Sequence, residues 1–97
     1  MSDELRLYKL LTETDEDNFS YVQEMGWVTD KEFCVWVSYL WIDDFVKELK
    51  NIFGYGVFDE GGFDARMQYD CICIDMCVAV GDYLDLEEVF PKDKYQH

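Results

Sequence analysis

Histidine is almost missing from this chain of 97 residues, since His97 is the only one. Hydrolases of the Ser-His-Asp or Cys-His type need an internal histidine beside the nucleophile, which argues against both mechanisms. The carboxylates contain no pair whose spacing singles it out for acid/base work, and so small a domain has little room for a deep substrate cleft. We therefore expect a protein that is not an enzyme, with a metal-dependent enzyme as the weakest alternative.

Positive charge is also scarce. Eight Lys and Arg stand against 22 Asp and Glu, which gives a formal net charge of −14 and a pI near 4.1. Phosphate contacts would work against this field, so no direct binding of nucleic acid is expected. The hydrophobic fraction of 49%, with seven Phe, seven Tyr and three Trp, argues against disorder and predicts a single domain over residues 1–97.

Long apolar runs are lacking as well. The longest, residues 34–42, stops at Asp43 and is too short to span a membrane. The first residues have neither the basic region nor the apolar stretch of a secretory signal. We expect a cytoplasmic protein that does not bind membranes, because anionic lipid would also repel its charge.

The four cysteines are Cys34, Cys71, Cys73 and Cys77. In a strand, Cys71 and Cys73 would point the same way without reaching each other, which disfavours a disulfide framework. The spacing C-x-C-x3-C is not a usual zinc spacing, and the acidic clusters do not follow the EF-hand order. We expect reduced, buried and inert thiols, no metal site and no cofactor.

The first half of the chain predicts three strands. Alternation over residues 5–10 indicates a short first strand, and the acid-rich residues 13–18 indicate a loop that either stays irregular or caps a short helix from Thr14. Residues 19–28 fit a helix or a strand, with a strand favoured at 26–28. The β-branched and aromatic residues 33–40 predict the most secure strand.

Residues 41–53 predict the best helix of the sequence. Its apolar stripe consists of Ile42, Phe45, Val46, Leu49, Ile52 and Phe53. Asp43 and Asp44 suit the positive end of the helix dipole, and Lys47 and Lys50 suit the negative end. Gly54 supplies a left-handed residue to close the helix.

The second half begins with a glycine-rich connection and then alternates over residues 63–69 before becoming apolar on both faces at 71–74, which indicates a strand. Asp75 would cap a helical turn over residues 76–80, although a continued strand is the alternative. Residues 82–90 suit a short helix or an extended segment that stops at Pro91, and residues 92–97 are expected to fray. The predicted fold class is α+β, with a small antiparallel sheet of three to four strands packed against the main helix Trp41–Phe53.

Acidic residues with almost no countercharge dominate the segment 59–90, whose only base is Arg66. Carboxylates lie about 6.6 Å apart at i and i+2 of a strand and about 5–6 Å apart at i and i+4 of a helix, which is comparable to charge spacing along nucleic acid. A rigid fold with such rows would occupy a basic groove made for DNA or RNA, although a solvated acidic face is the plainer interpretation. The candidate partner-binding residues are Asp59, Glu60, Asp64, Asp70, Asp82, Asp85, Glu87 and Glu88, with Asp15, Glu16 and Asp17 as a second patch.

Aromatic residues are too numerous for one thin core. We expect some tyrosines to be at the surface, either as interface anchors or as half-buried rings with wet hydroxyls. The candidates are Tyr8, Tyr21, Tyr55, Tyr69, Tyr83 and Tyr95.

A single small domain with clustered Asp and Glu, abundant aromatic residues and no catalytic motif resembles the counter-defence proteins of phages and mobile elements, of the anti-CRISPR or antirestriction type. The resemblance lies in the character of the whole chain, and it assigns no residue. It implies a non-enzymatic inhibitor, in one form a DNA mimic, that binds the basic nucleic-acid-binding groove of a host defence nuclease such as Cas9 or a restriction enzyme. The alternative is a generic protein–protein interaction module, or a homodimer, that uses its aromatic surface.

Overall fold

Four strands among the described residues form one antiparallel sheet in the order β1-β2-β4-β3. The computed structural model describes residues 2–14, 16–17, 19–54, 65–68 and 70–97. Its elements are α1 (Asp3–Thr12), β1 (Val22–Thr29), β2 (Glu32–Ser38), α2 (Ile42–Phe53), β3 (Ala65–Gln68), β4 (Cys71–Asp75), α3 (Met76–Val80) and α4 (Leu86–Val89). The predicted α+β class is therefore confirmed. Within the described ranges, no helix is long and apolar enough to cross a membrane.

Helix α2 forms where the apolar stripe predicts it. Phe45 and Leu49 are fully buried, and the first turn carries Asp43 and Asp44. The helix ends at Gly54, whose N–H donates to the Lys50 oxygen at 2.7 Å. Gly54 has a φ of 99° but a ψ of 170°, so the backbone leaves in a positive-φ extended conformation rather than in the left-handed helical one expected.

Helix α1 replaces the strand predicted over residues 5–10, and that prediction is wrong. The Ser2 hydroxyl accepts the N–H of Leu5 at 3.2 Å and caps the helix. Leu7 and Leu11 lie on one face of this helix and are buried, with 0% and 2% exposure. Leucines four residues apart share a helical face, and the tertiary burial of this pair outweighs the alternating pattern around it.

The main core lies between one face of the sheet and the helices. On β2 it uses alternate residues, Phe33, Val35 and Val37, all with 0% exposure. The helical side of this core consists of Leu7, Leu11, Phe45, Leu49, Met76, Ala79, Val80 and Leu86. The opposite face of the sheet carries a second, smaller cluster of buried residues, Cys34 and Trp36 of β2 and Cys73 of β4.

The segment after residue 64 is a hairpin rather than one entering strand. Gln68 pairs with Cys71 at its closed end and Ala65 pairs with Ile74 at its open end. Of the predicted elements around it, the glycine-rich connection over residues 55–64 lies outside the described residues. The alternative of a short helix beginning at Thr14 is not observed, since residues 14, 16 and 17 are not helical.

Helix α3 resolves the alternative left open at Asp75. Its carboxylate accepts the N–H of Cys77 at 2.9 Å, so the chain turns from β4 directly into a helix. Helix α4 follows after a short turn and ends before Pro91. The expected fraying of residues 92–97 is not observed, because this segment pairs with the edge of β1. The Trp27 N–H donates to the Tyr95 oxygen at 2.7 Å and the His97 N–H donates to the Trp27 oxygen at 3.2 Å.

Candidate interaction surface

Three of the predicted acids lie around one open depression at the end of the sheet where α3 begins. Asp82, Asp85 and Glu87 line it together with Asp30, which belongs to the turn between β1 and β2. The depression has a volume of about 600 Å³, and all four carboxylates belong to exposed residues. We call these four residues the acidic depression.

The geometry of the acidic depression follows from two local features. The register pairs Cys34 near the start of β2 with Asp75 at the end of β4, so the β1–β2 turn lies beside the start of α3. In addition, the Asp85 carboxylate accepts a hydrogen bond of 3.0 Å from the Glu87 N–H, so Asp85 caps the N-terminus of α4. Glu88 is exposed on the same short helix but does not line the depression.

Two lysines share the acidic depression. Lys31 and Lys92 contribute to its lining, and the Lys92 ammonium lies 3.6 Å from the Glu87 carboxylate and 5.0 Å from the centre of the Trp27 ring. The negative field is therefore reduced but not cancelled, since four carboxylates face two ammonium groups. The Lys92–Glu87 pair is partly exposed, and such pairs contribute little net energy.

Asp70 lies at the opposite end of the sheet from the acidic depression. Its carbonyl oxygen accepts the N–H of Tyr39 at 3.1 Å, just beyond the end of β2. The five residues of β4 separate it from α3, a distance of about 16 Å at the usual rise per residue. Among the described acids of the second half, Asp70 is therefore separated from Asp82, Asp85 and Glu87, because β4 runs from one end of the sheet to the other.

The other predicted acids divide in the same way. Glu16 and Asp17 are exposed in a turn between α1 and β1, three and two residues before Phe19, whose ring contacts Trp41 at the Asp70 end of the sheet. Four further predicted residues lie outside the described residues, namely Asp15, Asp59, Glu60 and Asp64.

The cysteines are free thiols, of which Cys34 and Cys73 are buried and Cys71 and Cys77 are half-buried. Desolvation raises the pKa of the Cys34 thiol to about 12, and its contact with Cys73 acts in the same direction. Burial likewise raises the pKa of Cys77. Neutral thiols are weak nucleophiles and weak metal ligands. Within the described ranges, no three His, Cys, Asp or Glu side chains are grouped to hold a metal ion.

One run of consecutive exposed apolar side chains was not singled out by the sequence. Tyr39, Leu40 and Trp41 are 50%, 66% and 42% exposed, and they form the connection between β2 and α2. We call these three residues the tip. Sequence patterns assigned them to the flanking strand and helix, since Tyr39 continues the alternation of Val35 and Val37 and Trp41 directly precedes the apolar stripe of α2. They are exposed because the strand ends at Ser38 and the helix begins only at Ile42, which the local patterns did not indicate.

Of the tyrosines predicted at the surface, Tyr8 and Tyr83 are exposed and Tyr21 and Tyr95 are half-buried. Tyr55 and Tyr69 lie outside the described residues. Desolvation raises the pKa of Tyr21, and the negative charges of Glu48 and Asp44 raise it further. Negative charge therefore acts at the tip end of the sheet as well as at the acidic depression.

Comparison with protein-family models, with curated proteins and with solved structures found no match to this chain. A role is therefore inferred from the described surface itself. The features used for this are the acidic depression, the tip, and the acids near the tip.

Proposed function

We propose that this protein is a non-enzymatic acidic inhibitor that acts in the cytoplasm by binding the basic nucleic-acid-binding groove of a defence nuclease, such as Cas9 or a restriction enzyme. The observation that carries this proposal is the acidic depression, in which Asp30, Asp82, Asp85 and Glu87 surround one concave surface with only two lysines. A groove lined by Lys and Arg gains attraction and faster association from such a field.

The net charge of −14 supports a cationic protein as the partner. Nucleic acid and anionic lipid would both be repelled, whereas a groove built for phosphates would meet carboxylates held by main-chain contacts. Asp85 is held in this way through the Glu87 N–H. The inhibitor would therefore compete with the nucleic acid for its site, and its binding would weaken as salt increases.

The test is a DNA cleavage assay with guide-loaded Cas9 and with a restriction endonuclease, titrated with the protein at low and high salt. We expect inhibition at stoichiometric amounts at low salt. The variant Asp82→Lys/Glu87→Lys should lose it, because it reverses two charges of the acidic depression. The control Glu4→Lys/Glu13→Lys makes the same change of net charge at exposed positions of α1 and after it, and should keep inhibition.

Equal inhibition by the two double variants would contradict a role for the acidic depression, and no inhibition of either nuclease would contradict the proposal itself. The second candidate function is an interaction module that uses apolar contacts, favoured by the exposed tip. Its complex would be insensitive to salt, so the same titration separates the two.

A further inference from the structure

The tip places three consecutive large apolar residues in water. Leu40 is 66% exposed, and its two neighbours are half-exposed aromatic residues. Single exposed apolar residues are common on protein surfaces, but a contiguous set is typical of an interaction site. Tyrosine and tryptophan are also the residues most often found at the energetic centre of protein interfaces.

Hydrogen bonds hold the tip in one conformation. The Tyr39 N–H donates to the Asp70 oxygen at 3.1 Å and the Trp41 N–H donates to the Ser38 oxygen at 2.9 Å. The Leu40 N–H donates to the Ser38 hydroxyl at 3.3 Å. Each N–H of the tip thus has an acceptor, and a partner would meet a surface that loses little backbone entropy on binding.

Packing at the base of the tip restrains it further. The Trp41 ring meets the Phe19 ring edge-on, with centroids 5.1 Å apart, and the Trp41 oxygen accepts the N–H of Phe45 in the first turn of α2. Trp41 therefore belongs partly to the fold, whereas Tyr39 and Leu40 extend from it. Those two side chains are the part of the tip that can be removed without disturbing the core.

Acidic residues surround the tip in the chain and in the sheet. The main-chain oxygen of Asp70 accepts the Tyr39 hydrogen bond, and the exposed Asp43 and Asp44 lie two and three residues after Trp41 in α2. The first bases beyond these acids are Lys47 and Lys50, which lie with Asp43 along α2. The charged residues next to the tip itself are thus acidic, which is the complement of an apolar surface with a basic rim.

These charges decide between the possible occupants. A second copy of the chain would bring its own Asp43, Asp44 and Asp70 and the same net charge of −14 to the contact, and like charges that meet in an interface oppose it. An anionic membrane would be repelled for the same reason. We propose that the tip binds an apolar surface bordered by Lys and Arg on a cationic partner protein. The inference deepens the proposed function, on which it rests for the charge of the partner.

The experiment uses two synthetic helical peptides of equal length and positive charge as probes. One carries a leucine stripe opposite its lysines, and in the other serine replaces each leucine. Trp27 and Trp36 are both 9% exposed, so a blue shift of tryptophan fluorescence on binding reports mainly on Trp41. We expect the leucine peptide to bind more tightly than the serine peptide and to cause this shift.

Two variants then test the tip itself. Tyr39→Ala/Leu40→Ala should weaken the leucine peptide about tenfold and leave the serine peptide unchanged, because it removes apolar contacts and no charge. Leu40→Ala should show a smaller loss, and the matched control Leu5→Ala, at an exposed leucine of α1, should stay within about twofold of the unchanged protein. Unfolding in urea confirms that each variant is folded.

Equal binding of both peptides by the unchanged protein would overturn the inference. The same holds if the tip variants bind the leucine peptide as tightly as the unchanged protein does. Self-association that the tip variants abolish would assign the tip to a second copy instead, and a tip-dependent blue shift with anionic vesicles would assign it to a membrane. In the cleavage assay, inhibition that survives Tyr39→Ala/Leu40→Ala but not Asp82→Lys/Glu87→Lys would refute the inference and keep the proposed function. Tip-dependent peptide binding without inhibition of either nuclease would support the inference and contradict the proposed function.

Discussion

The indole Nε1 of Trp27 donates a hydrogen bond of 2.8 Å to the main-chain oxygen of Phe90, across 63 positions of the sequence. Trp27 lies on the edge strand β1 and Phe90 directly follows α4, so the bond joins the two. The Phe33 ring contacts both rings, with centroids 5.2 Å from Trp27 and 4.9 Å from Phe90. This hydrogen bond of the edge strand is thus buried in the main core, where its loss lowers the free energy of unfolding.

Trp27→Phe tests this contact. The variant keeps a ring in the core but removes the N–H donor and part of the buried volume, so we expect the free energy of unfolding to fall by about 2 kcal/mol or more. Urea unfolding at neutral pH measures it. Trp41→Phe is the control, because Trp41 is 42% exposed, and it should cost less than about 1 kcal/mol. Equal losses in the two variants would show that the buried bond adds nothing.

Two aspartates begin the short helices, and they allow a matched comparison of capping. Asp75 is 8% exposed and accepts from Cys77 at 2.9 Å, while Asp85 is exposed and accepts from Glu87 at 3.0 Å. We expect Asp75→Ala to cost about 1–3 kcal/mol and Asp85→Ala to cost about 0.5–1 kcal/mol, since water replaces only the exposed carboxylate. Thermal or urea unfolding gives both values, and the reverse order would be inconsistent with capping from a buried site.

Only part of this fold could be predicted from the sequence. Helix α2 was predicted because its apolar stripe, its first-turn aspartates and Gly54 all act locally. Helix α1 was missed because the alternating residues 5–10 also fit a strand, and the deciding fact is the burial of Leu7 and Leu11 together against other elements. Local pattern and tertiary packing disagreed there, and packing prevailed.

The candidate site shows the same division. The acids are evident in the sequence, but their grouping depends on strand order, which places Asp30 beside Asp82 and moves Asp70 to the far end. No local signal indicates that residues 92–97 pair with β1, because the partner residue, Trp27, is remote in the chain. Composition predicted an acidic surface, whereas its geometry required the topology.

The buried thiol of Cys34 predicts a loss of stability at alkaline pH. Desolvation first, and then its contact with Cys73, raises the pKa of this thiol from 9.0 to about 12. Above pH 9 the unfolded chain releases a proton that the folded chain retains, so the free energy of unfolding falls as pH rises from 9 towards 12. Urea midpoints for the unchanged protein and for Cys34→Ala, measured at about pH 7 and about pH 10.5, test this.

The comparison with Cys34→Ala removes the contribution of tyrosines and lysines that titrate over the same range. We expect the midpoint to fall less between the two pH values in Cys34→Ala, whatever the variant costs at neutral pH. Alkylation gives a second readout, because the half-buried Cys71 should react before Cys34 in the folded protein. A parallel fall in both proteins would mean that the Cys34 thiol ionises as readily in the folded chain as in the unfolded one.

Gly26 is the position at which a single methyl group tests the docking of residues 92–97. A Cβ there would lie 2.8 Å from the His97 nitrogen and 2.9 Å from the His97 Cβ, too close for either to stay in place. His97 also stacks on Trp36, with centroids 4.4 Å apart and an interplanar angle of 23°. We therefore expect Gly26→Ala to displace the segment from β1, to expose Trp36 and to raise hydrogen exchange at the amides of Trp27 and His97.

Gly54→Ala is the control for this variant, since the constraint on Gly54 is its backbone conformation and not a close neighbour. Gly54 has a φ of 99°, and among the described residues no atom lies within 4 Å of the place that a methyl group would take. The substitution therefore strains the backbone without touching the C-terminal segment. We expect it to cost about 1 kcal/mol of global stability and to leave the exchange of the His97 amide unchanged relative to that global loss. If Gly26→Ala also keeps the His97 amide protected, then β1 adapts to the methyl group and the docking does not depend on glycine at this position.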